Sequence, residues 1–512
     1  MGEGGSTERL DDAEGTLVGE QKDVSASEEE RQLRWKLDLQ IVPLSLVIYT
    51  LSFLDRTNIG QARLQGLQED LDMSFHDFQV ALTILYVPYI IFELPSNLII
   101  RKVGPARLIP LLLTIWGMVS CVQGTVRNKT GLYINRAFLG LVEAGVLPGL
   151  SVYLSFFYTP REMQLRQALY FSGASLSGSF NGLLAVAIGE LGGRRGIAKW
   201  SWVMIIEGAF TTLFGIIAFF IMPNSINNAW WLTEAQRDLG RRRLALARHP
   251  DLDAVGEKTG DIGATSRDGL PDEAFSWSEV LRAFTDPFVW LMFCAGFCSA
   301  TSIYGLSFFA PTIIKSLPLG LTSVQSQLLS VPPFFAGFLF SVAFAFFSDR
   351  LQWRYLSGAS AFTLASVGYL IALCTSTGWA QYAGLMVLCA GSFSIPPMLL
   401  TWALTNVWGY YKRATAAAFL ICATNSAGIA GTWLFSPQEA PRYFRGFGTN
   451  LALNIMGIVF LSLAELWVLR ERRRRRHGSS DHLVEALASQ GMSPAAIRAK
   501  LGDRHPGYHL EL

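Results

Sequence analysis

The chain is 512 residues long, 51% hydrophobic and 16% charged, with a formal net charge of +2. A soluble protein of this size carries roughly a quarter charged residues. With a mean hydropathy of +0.31, the composition excludes a soluble globular domain and points to an all-α, polytopic membrane protein. The near-neutral balance gives no sign of a nucleic-acid partner.

The opening residues, MGEGGSTERLDDAEG, hold no apolar signal core. The run from Ile41 onward therefore reads as a true span rather than a cleaved leader. MGEGGS fits the myristoylation pattern, but a lipid anchor is superfluous beside many spans. Twelve spans are expected near 39–61, 79–99, 106–125, 131–156, 165–190, 200–222, 286–309, 326–347, 356–375, 380–404, 412–435 and 449–469. They divide the chain into an N-terminal tail (1–38), a six-helix half (39–222), a polar linker (223–285), a second six-helix half (286–470) and a C-terminal tail (471–512). The six cysteines lie inside apolar runs and read as packing residues, so neither a disulfide nor a metal is expected.

Basic residues flank the spans on one side. Arg31, Arg34 and Lys36 precede span 1, Arg241, Arg242 and Arg243 follow span 6, and Arg472 to Arg476 follow span 12. An even span count puts all three on the same face, so both termini and the linker are expected in the cytoplasm. The sequon at Asn128 then falls outside, in a loop so tight that glycosylation is not expected. The halves also echo each other. IIRKVGPAR after span 2 and FFSDRLQWR after span 8 are short basic loops, with Arg101 and Asp349 248 residues apart. The same offset carries Ser177 onto Asn425. Two parallel six-span halves around a midplane cavity is the logic of a secondary transporter.

Charges inside the spans carry the chemistry. A charge at bilayer depth costs roughly 2.5–3.5 kcal/mol even on the lenient insertion scale, yet span 1 carries Asp55 and Arg56 side by side. Neighbours on a helix point roughly 100° apart, so each needs a partner on another helix or a wet cavity. Span 4 offers Arg136 and Glu143, seven residues and two turns apart, with Gly140 between them on one face. The four charges sum to zero. A bound organic anion makes the set negative, and protonation of a carboxylate restores the balance. Asp55 and Glu143 are therefore assigned to proton coupling, and Arg56 and Arg136 to the anion. The alternative for such charges is a purely structural gate between helices. Tyr86, Tyr89, Ser177, Asn181 and Asn425 are softer candidates for the substrate, since tyrosines also anchor interfaces and Gly- and Ser-rich faces also pack helices. Glu93 and Glu207 lie nearer span ends and read as structural. Asp349, Arg350 and Arg354 are assigned to gating. The chain has no GxxxxGK[ST] loop, HExxH or Cys/His cluster, so no enzyme activity and no cofactor are expected, and an ion gradient or the substrate's own must drive transport.

The stretches FLDRTNIGQARL, FELPSNLIIRKVGPAR, RAFLGLVEAGVLPG, FFYTPREMQLRQALY and WSWVMIIEGAF, with SDRLQWR and NVWGYYKRATAAAF in the second half and GMSPAAIRAKLGDRHP in the tail, resemble the major facilitator superfamily. Within it they resemble the fungal anion:cation symporters of the allantoate permease type. The resemblance implies twelve helices, alternating access, and uptake of an anion or vitamin-like carboxylate with a proton. It matches Asp55 and Glu143 to proton coupling, Arg56 to the substrate carboxylate, and Arg136 to its span-4 partner. There are departures from the family pattern. The loop Arg101-Lys-Val-Gly-Pro-Ala-Arg lacks its usual acid, Gln352 replaces a glycine, Asn181 stands in a patch that is typically Gly-Gly, and Trp402 and Trp408 bracket Asn406. The expected protein is a monomeric plasma-membrane permease symporting a small organic anion with protons. The alternatives are an exporter of an acidic secondary metabolite and a transporter-like nutrient sensor.

Overall fold

The computed structural model describes residues 7–159, 162–248, 277–351, 353–407, 410–477, 481–489 and four isolated C-terminal positions. Among these the chain is helical throughout, with twelve helices long and apolar enough to cross a membrane. They are Glu28–Leu64, Phe75–Glu93, Pro105–Gln123, Lys129–Leu154, Leu165–Gly189, Lys199–Ile221, Pro287–Ser316, Ser323–Ser348, Arg354–Cys374, Gly378–Thr405, Tyr411–Trp433 and Phe444–Arg476. The twelve expected spans are all present. Several helices run past the apolar stretch, as at Phe444 and Arg476 in span 12, because helical hydrogen bonding continues into water where hydropathy falls.

Local chemistry sets the ends. Ser74 and Asp77 form a reciprocal capping box at the start of the second helix, and Thr322 and Gln325 do the same for the eighth. Asn128 Oδ1 accepts from Gly131 N at 2.8 Å, so the sequon asparagine caps span 4. Between spans 2 and 3 the chain turns at Gly104, whose φ of 88° suits a residue without Cβ, and Pro105 opens the next helix. Asp286 caps span 7 through Phe288 N, with Pro287 in its first turn.

Among the described residues four spans are interrupted along their length. Span 4 breaks after Glu143, span 5 at Ser172, span 8 at Ser330, and span 10 at Phe393-Ser394 before Pro396-Pro397. Loosened backbone within a span is tolerated where protein or a cavity covers it.

The packing repeats with a shift of six spans. Spans 1 and 5 pack as do 7 and 11, spans 2 and 4 as do 8 and 10, and spans 3 and 6 as do 9 and 12. Between the halves, span 5 meets span 8 and span 2 meets span 11, a pairing that maps onto itself under the same shift. Lipid gives no hydrophobic drive for helix association, so small residues allow close approach. A Cβ on Gly117 would strike the Thr212 backbone, and one on Gly208 would strike Cys121 N, which is how spans 3 and 6 lie so close. Spans 4, 7 and 10 are enclosed, whereas 6, 8 and 12 turn large apolar side chains such as Phe220, Phe340 and Leu466 outward.

On the face of the termini, Arg166 forms a fork with Asp38 at 2.9 and 2.6 Å. Helix Glu234–Arg248, the first part of the linker, docks there through Arg243 to Glu162 at 3.2 Å. In the second half Lys412 pairs with Asp286 at 2.6 Å. Residues 249–276 lie outside the described residues.

Candidate functional site

Arg56 stands on the axis between the halves. Its Nη2 and Nε donate to Glu143 Oε1 of span 4 at 2.5 and 3.2 Å, and Ser52 Oγ donates to the same oxygen at 2.8 Å. On the other side, Nη1 donates to the Tyr304 hydroxyl of span 7 at 2.7 Å and to Asn425 Oδ1 of span 11 at 3.3 Å. The rings of Tyr89, Tyr86, Tyr304 and Phe53 surround the guanidinium at 5.0–5.9 Å. The cation is thus both ion-paired and boxed in by π faces, which suit it in a dry setting. Glu143 is half satisfied: its Oε2 is buried and has no hydrogen-bond partner.

Asp55 points elsewhere, as the 100° step between neighbours requires. It accepts from Ser120 of span 3 at 3.2 Å and Thr211 of span 6 at 3.4 Å, inside the first half. Arg136 is 1% exposed, and its Nε and Nη2 have no hydrogen-bond partner. The carboxylates of Asp55 and Glu143 act on it across space. The four charges expected around one cavity therefore form two buried stations, one on the axis and one within the first bundle, with Arg136 between them. Gly140, expected to leave room for a backbone or a substrate, takes a backbone: a Cβ there would strike the Leu85 carbonyl of span 2.

Other expectations change with the geometry. Tyr86 and Tyr89 present rings, not hydroxyls, to Arg56, and both hydroxyls are buried without a partner. Ser177 donates to Ala174 O of its own helix at 2.7 Å, and Asn181 donates to Thr57 Oγ1 of span 1 at 3.0 Å. Asn181 thus ties span 5 to span 1 while Ser177 bonds within its own helix, and neither lines the cavity described below, because their Gly- and Ser-rich face is closed by spans 1 and 8. Gly178 abuts the Phe334 ring and Gly182 the Gln327 carbonyl. Asn425 does reach the site. Glu93 and Glu207 are 0% and 3% exposed, so neither solvent nor a cap satisfies them. Glu93 faces Cys422 Sγ at 3.4 Å, and Glu207 accepts from Asn58 Nδ2 at 3.0 Å. Of the gating set, Arg350 lies over the Phe346 ring and Arg354 Nη1 reaches Ser348 Oγ at 3.3 Å. The side chain of Asp349 lies outside the described residues, as do that of Arg101 and residues Gln352 and Trp408. Trp402 packs edge-on to Phe288, away from the cavity.

Sequence reasoning missed Ser52, Phe53 and Tyr304. A signal for Tyr304 was present, since it lies 248 residues after Arg56, at the repeat offset. Gly60 and Phe308 share that offset and touch as well: a Cβ on Gly60 would sit 2.5 Å from the Phe308 carbonyl oxygen. Equivalent positions of spans 1 and 7 thus meet along the axis.

A cavity opens beside this station, walled by Tyr49, Phe53, Phe171, Ser299, Tyr304 and Phe393 among others. Phe53 and Tyr304 are shared, forming the cavity's end wall and two sides of the Arg56 box. Its lining comes from the parts of spans 1, 4, 5, 7, 10 and 11 nearer the termini's face, next to the interruptions of spans 4, 5 and 10. The far face is sealed. Gln79 Nε2 donates to Thr432 O at 3.0 Å, Trp433 Nε1 donates to Thr83 Oγ1 at 3.0 Å, and Phe75 packs on Phe309.

Residues 45–432 match the family model described as Major Facilitator Superfamily. The chain is 33% identical over 454 residues to an uncharacterised transporter of Schizosaccharomyces pombe, covering 87% of this chain and 86% of that protein. It is 27% identical over 482 residues to a high-affinity nicotinic acid transporter of Saccharomyces cerevisiae, covering 94% and 84%. Among solved structures it resembles a bacterial homolog of the human lysosomal transporter Spinster in an inward-facing and occupied conformation. The TM-score is 0.59 at 15% identity, covering 83% of this chain and 96% of that one, a likeness of fold alone. With twelve spans, a sealed far face and these relatives, the chain is an integral multi-pass membrane transporter and belongs to the Major Facilitator Superfamily.

Proposed function

We propose that the chain is a proton-coupled symporter of a small organic anion, of the fungal anion:cation symporter (allantoate permease) type. It works by alternating access in the plasma membrane, with both termini cytoplasmic. The carrying observation is that Arg56 is neutralised by Glu143, whose second oxygen has no partner. An arriving carboxylate competes for the guanidinium. Protonation of Glu143 releases it from Arg56, and the substrate takes its place with no net change of buried charge. That exchange avoids the cost of an uncompensated charge in the membrane. Asp55 is the second proton acceptor, linked to the axis through Arg136. Arg56 also bonds Tyr304 and Asn425 of the second half, so substrate and proton act where the halves meet. The likeness to a nicotinic acid transporter supports a carboxylate cargo.

The test is uptake of labelled carboxylates against pH in a permease-null host. Glu143→Gln mimics the protonated acid permanently, so uptake driven by the proton gradient is lost while exchange of anion for anion survives. A Glu143→Gln protein whose net uptake keeps the wild-type pH dependence refutes the coupling role.

A further inference from the structure

Two acids that the exchange at Arg56 does not use lie buried in the first half. Among the described residues, spans 1 to 6 bury the carboxyls of Asp55, Glu93, Glu143 and Glu207 against the guanidiniums of Arg56 and Arg136. Arg56 is taken by Glu143, and Arg136 stands between Glu143 and Asp55. Glu207 is left with no cation beside it among the described residues, while the carboxylate of Asp55 acts on it across space. Ionised there, it would be an uncompensated charge in the membrane.

The surroundings of Glu207 form a polar seam between spans 1 and 6. These helices run antiparallel. Asp55 and Thr211 make one rung at 3.4 Å, and Asn58 and Glu207 make the next at 3.0 Å, one turn closer to the far face. Gln61 follows Asn58 by three residues, the step of one helix face, and Gln65 stands just past the helix end. Glu207 Oε1, Asn58 Oδ1, Gln61 Oε1 and Gln65 Oε1 are all buried and accept no hydrogen bond from the protein. A row of acceptors without donors suits water or a proton in transit, which bring the donors. Asn58 and Gln61 are buried and Gln65 is partly exposed, so the seam leads inward from the far face. None of these residues lines the cavity. From span 3, Cys121 donates its thiol to Ile205 O, and the one charged residue of span 5, Arg166, is held by Asp38 on the opposite face.

Resting on the reading that Asp55 accepts a coupling proton, we propose that Glu207 is the relay acid that delivers it from the far face, along a seam separate from the substrate's cavity. The proton sits on Oε1, leaving Oε2 to accept from Asn58. It passes to a water in the one-turn gap, about 6 Å along the axis, and that water gives a proton to Asp55. Glu207, now ionised, takes a new proton from the Gln61 side, so Asp55 gains one proton for each that enters. Spans 1 and 6 belong to one half, so this route does not wait for the halves to part.

A rapid step from alkaline to acidic buffer, applied to the purified full-length protein in detergent with a soluble pH indicator, reads proton binding without any substrate. The phase belonging to Asp55 is the one that Asp55→Asn lacks. Glu207→Gln keeps the side chain's size and an oxygen for Asn58 but cannot pass a proton. It should slow this phase about 100-fold, the lower bound of what a positioned proton-transfer group contributes, while the melting transition stays at the wild-type value. Glu207→Asp should restore most of the rate, and Gln61→Leu, which leaves both acids in place, should slow it too. An unchanged rate in Glu207→Gln overturns the relay; if that protein does not fold, an unchanged rate in Gln61→Leu does so. If Asp55→Asn keeps every phase, the assignment of Asp55 to proton coupling is what fails, and the relay has no acceptor.

Discussion

Removing the Tyr304 hydroxyl should shift the protein toward the state open on the far face. In the sealed state Tyr304 accepts from Arg56 Nη1 at 2.7 Å and lies 3.3 Å from Asn425 Oδ1, tying span 1 to spans 7 and 11. A hydrogen bond to a charged group is worth about 1.5–3 kcal/mol net. When the halves part, water replaces it. Tyr304→Phe therefore penalises only the sealed state, and the equilibrium should move by about 10- to 150-fold, at tenfold per 1.4 kcal/mol. A cysteine at Gln79, which is 6% exposed in the far-face seal, reports the opening. In a background without the six native cysteines, Gln79→Cys should react with a membrane-impermeant thiol reagent at least about tenfold faster when Tyr304→Phe is added. The reporter's own lost bond is common to both proteins and cancels. A rate unchanged within twofold would refute the idea that this hydroxyl latches the halves together.

Gly60→Val should act on the same equilibrium by steric force. Its new Cβ would meet the Phe308 carbonyl oxygen at 2.5 Å, and overpacking of this kind costs about 1–3 kcal/mol. The Gln79→Cys reporter should again react faster, while net uptake slows. Asn181→Ala should separate packing from binding. It deletes the bond to Thr57 Oγ1 at 3.0 Å, so the melting transition should fall by an amount equivalent to about 1 kcal/mol while the apparent substrate affinity stays unchanged. A changed affinity would return Asn181 to the binding site.

The span count and the two-half architecture were legible because apolar runs of membrane length are a strong signal, and helix caps such as Ser74 and Asn128 are written locally. The charged residues were legible for the same reason, since an arginine in an oily run must have a purpose. Their partners were not. Which way Asp55 faces depends on the rotation of span 1 against spans 3 and 6, which is set by tertiary contacts such as those to Ser120 and Thr211 and the close approach of Gly60 to Phe308. The depth of burial of Glu93 and Glu207 was not legible, because hydropathy cannot tell a helix that ends from one that continues. The helix of Glu93 runs on to Val103, and Glu207, a third of the way along its own helix, packs into the bundle. The cavity was invisible for a further reason: its walls are ordinary phenylalanines and tyrosines, which in a sequence look like lipid-facing residues.

The meeting of spans 1 and 7 at matching registers has a consequence for how such a chain can evolve. Any duplicated fold that folds back on itself brings each ancestral position face to face with its own descendant along the line where the copies touch. Two identical cations cannot share that spot, and neither can two bulky side chains at the tightest crossing. Here tyrosine stands opposite Arg56, and glycine stands opposite Phe308 at the tight crossing. The two halves should therefore differ most where spans 1 and 7 touch, and a trace of common descent is best sought in the packed contacts inside each half.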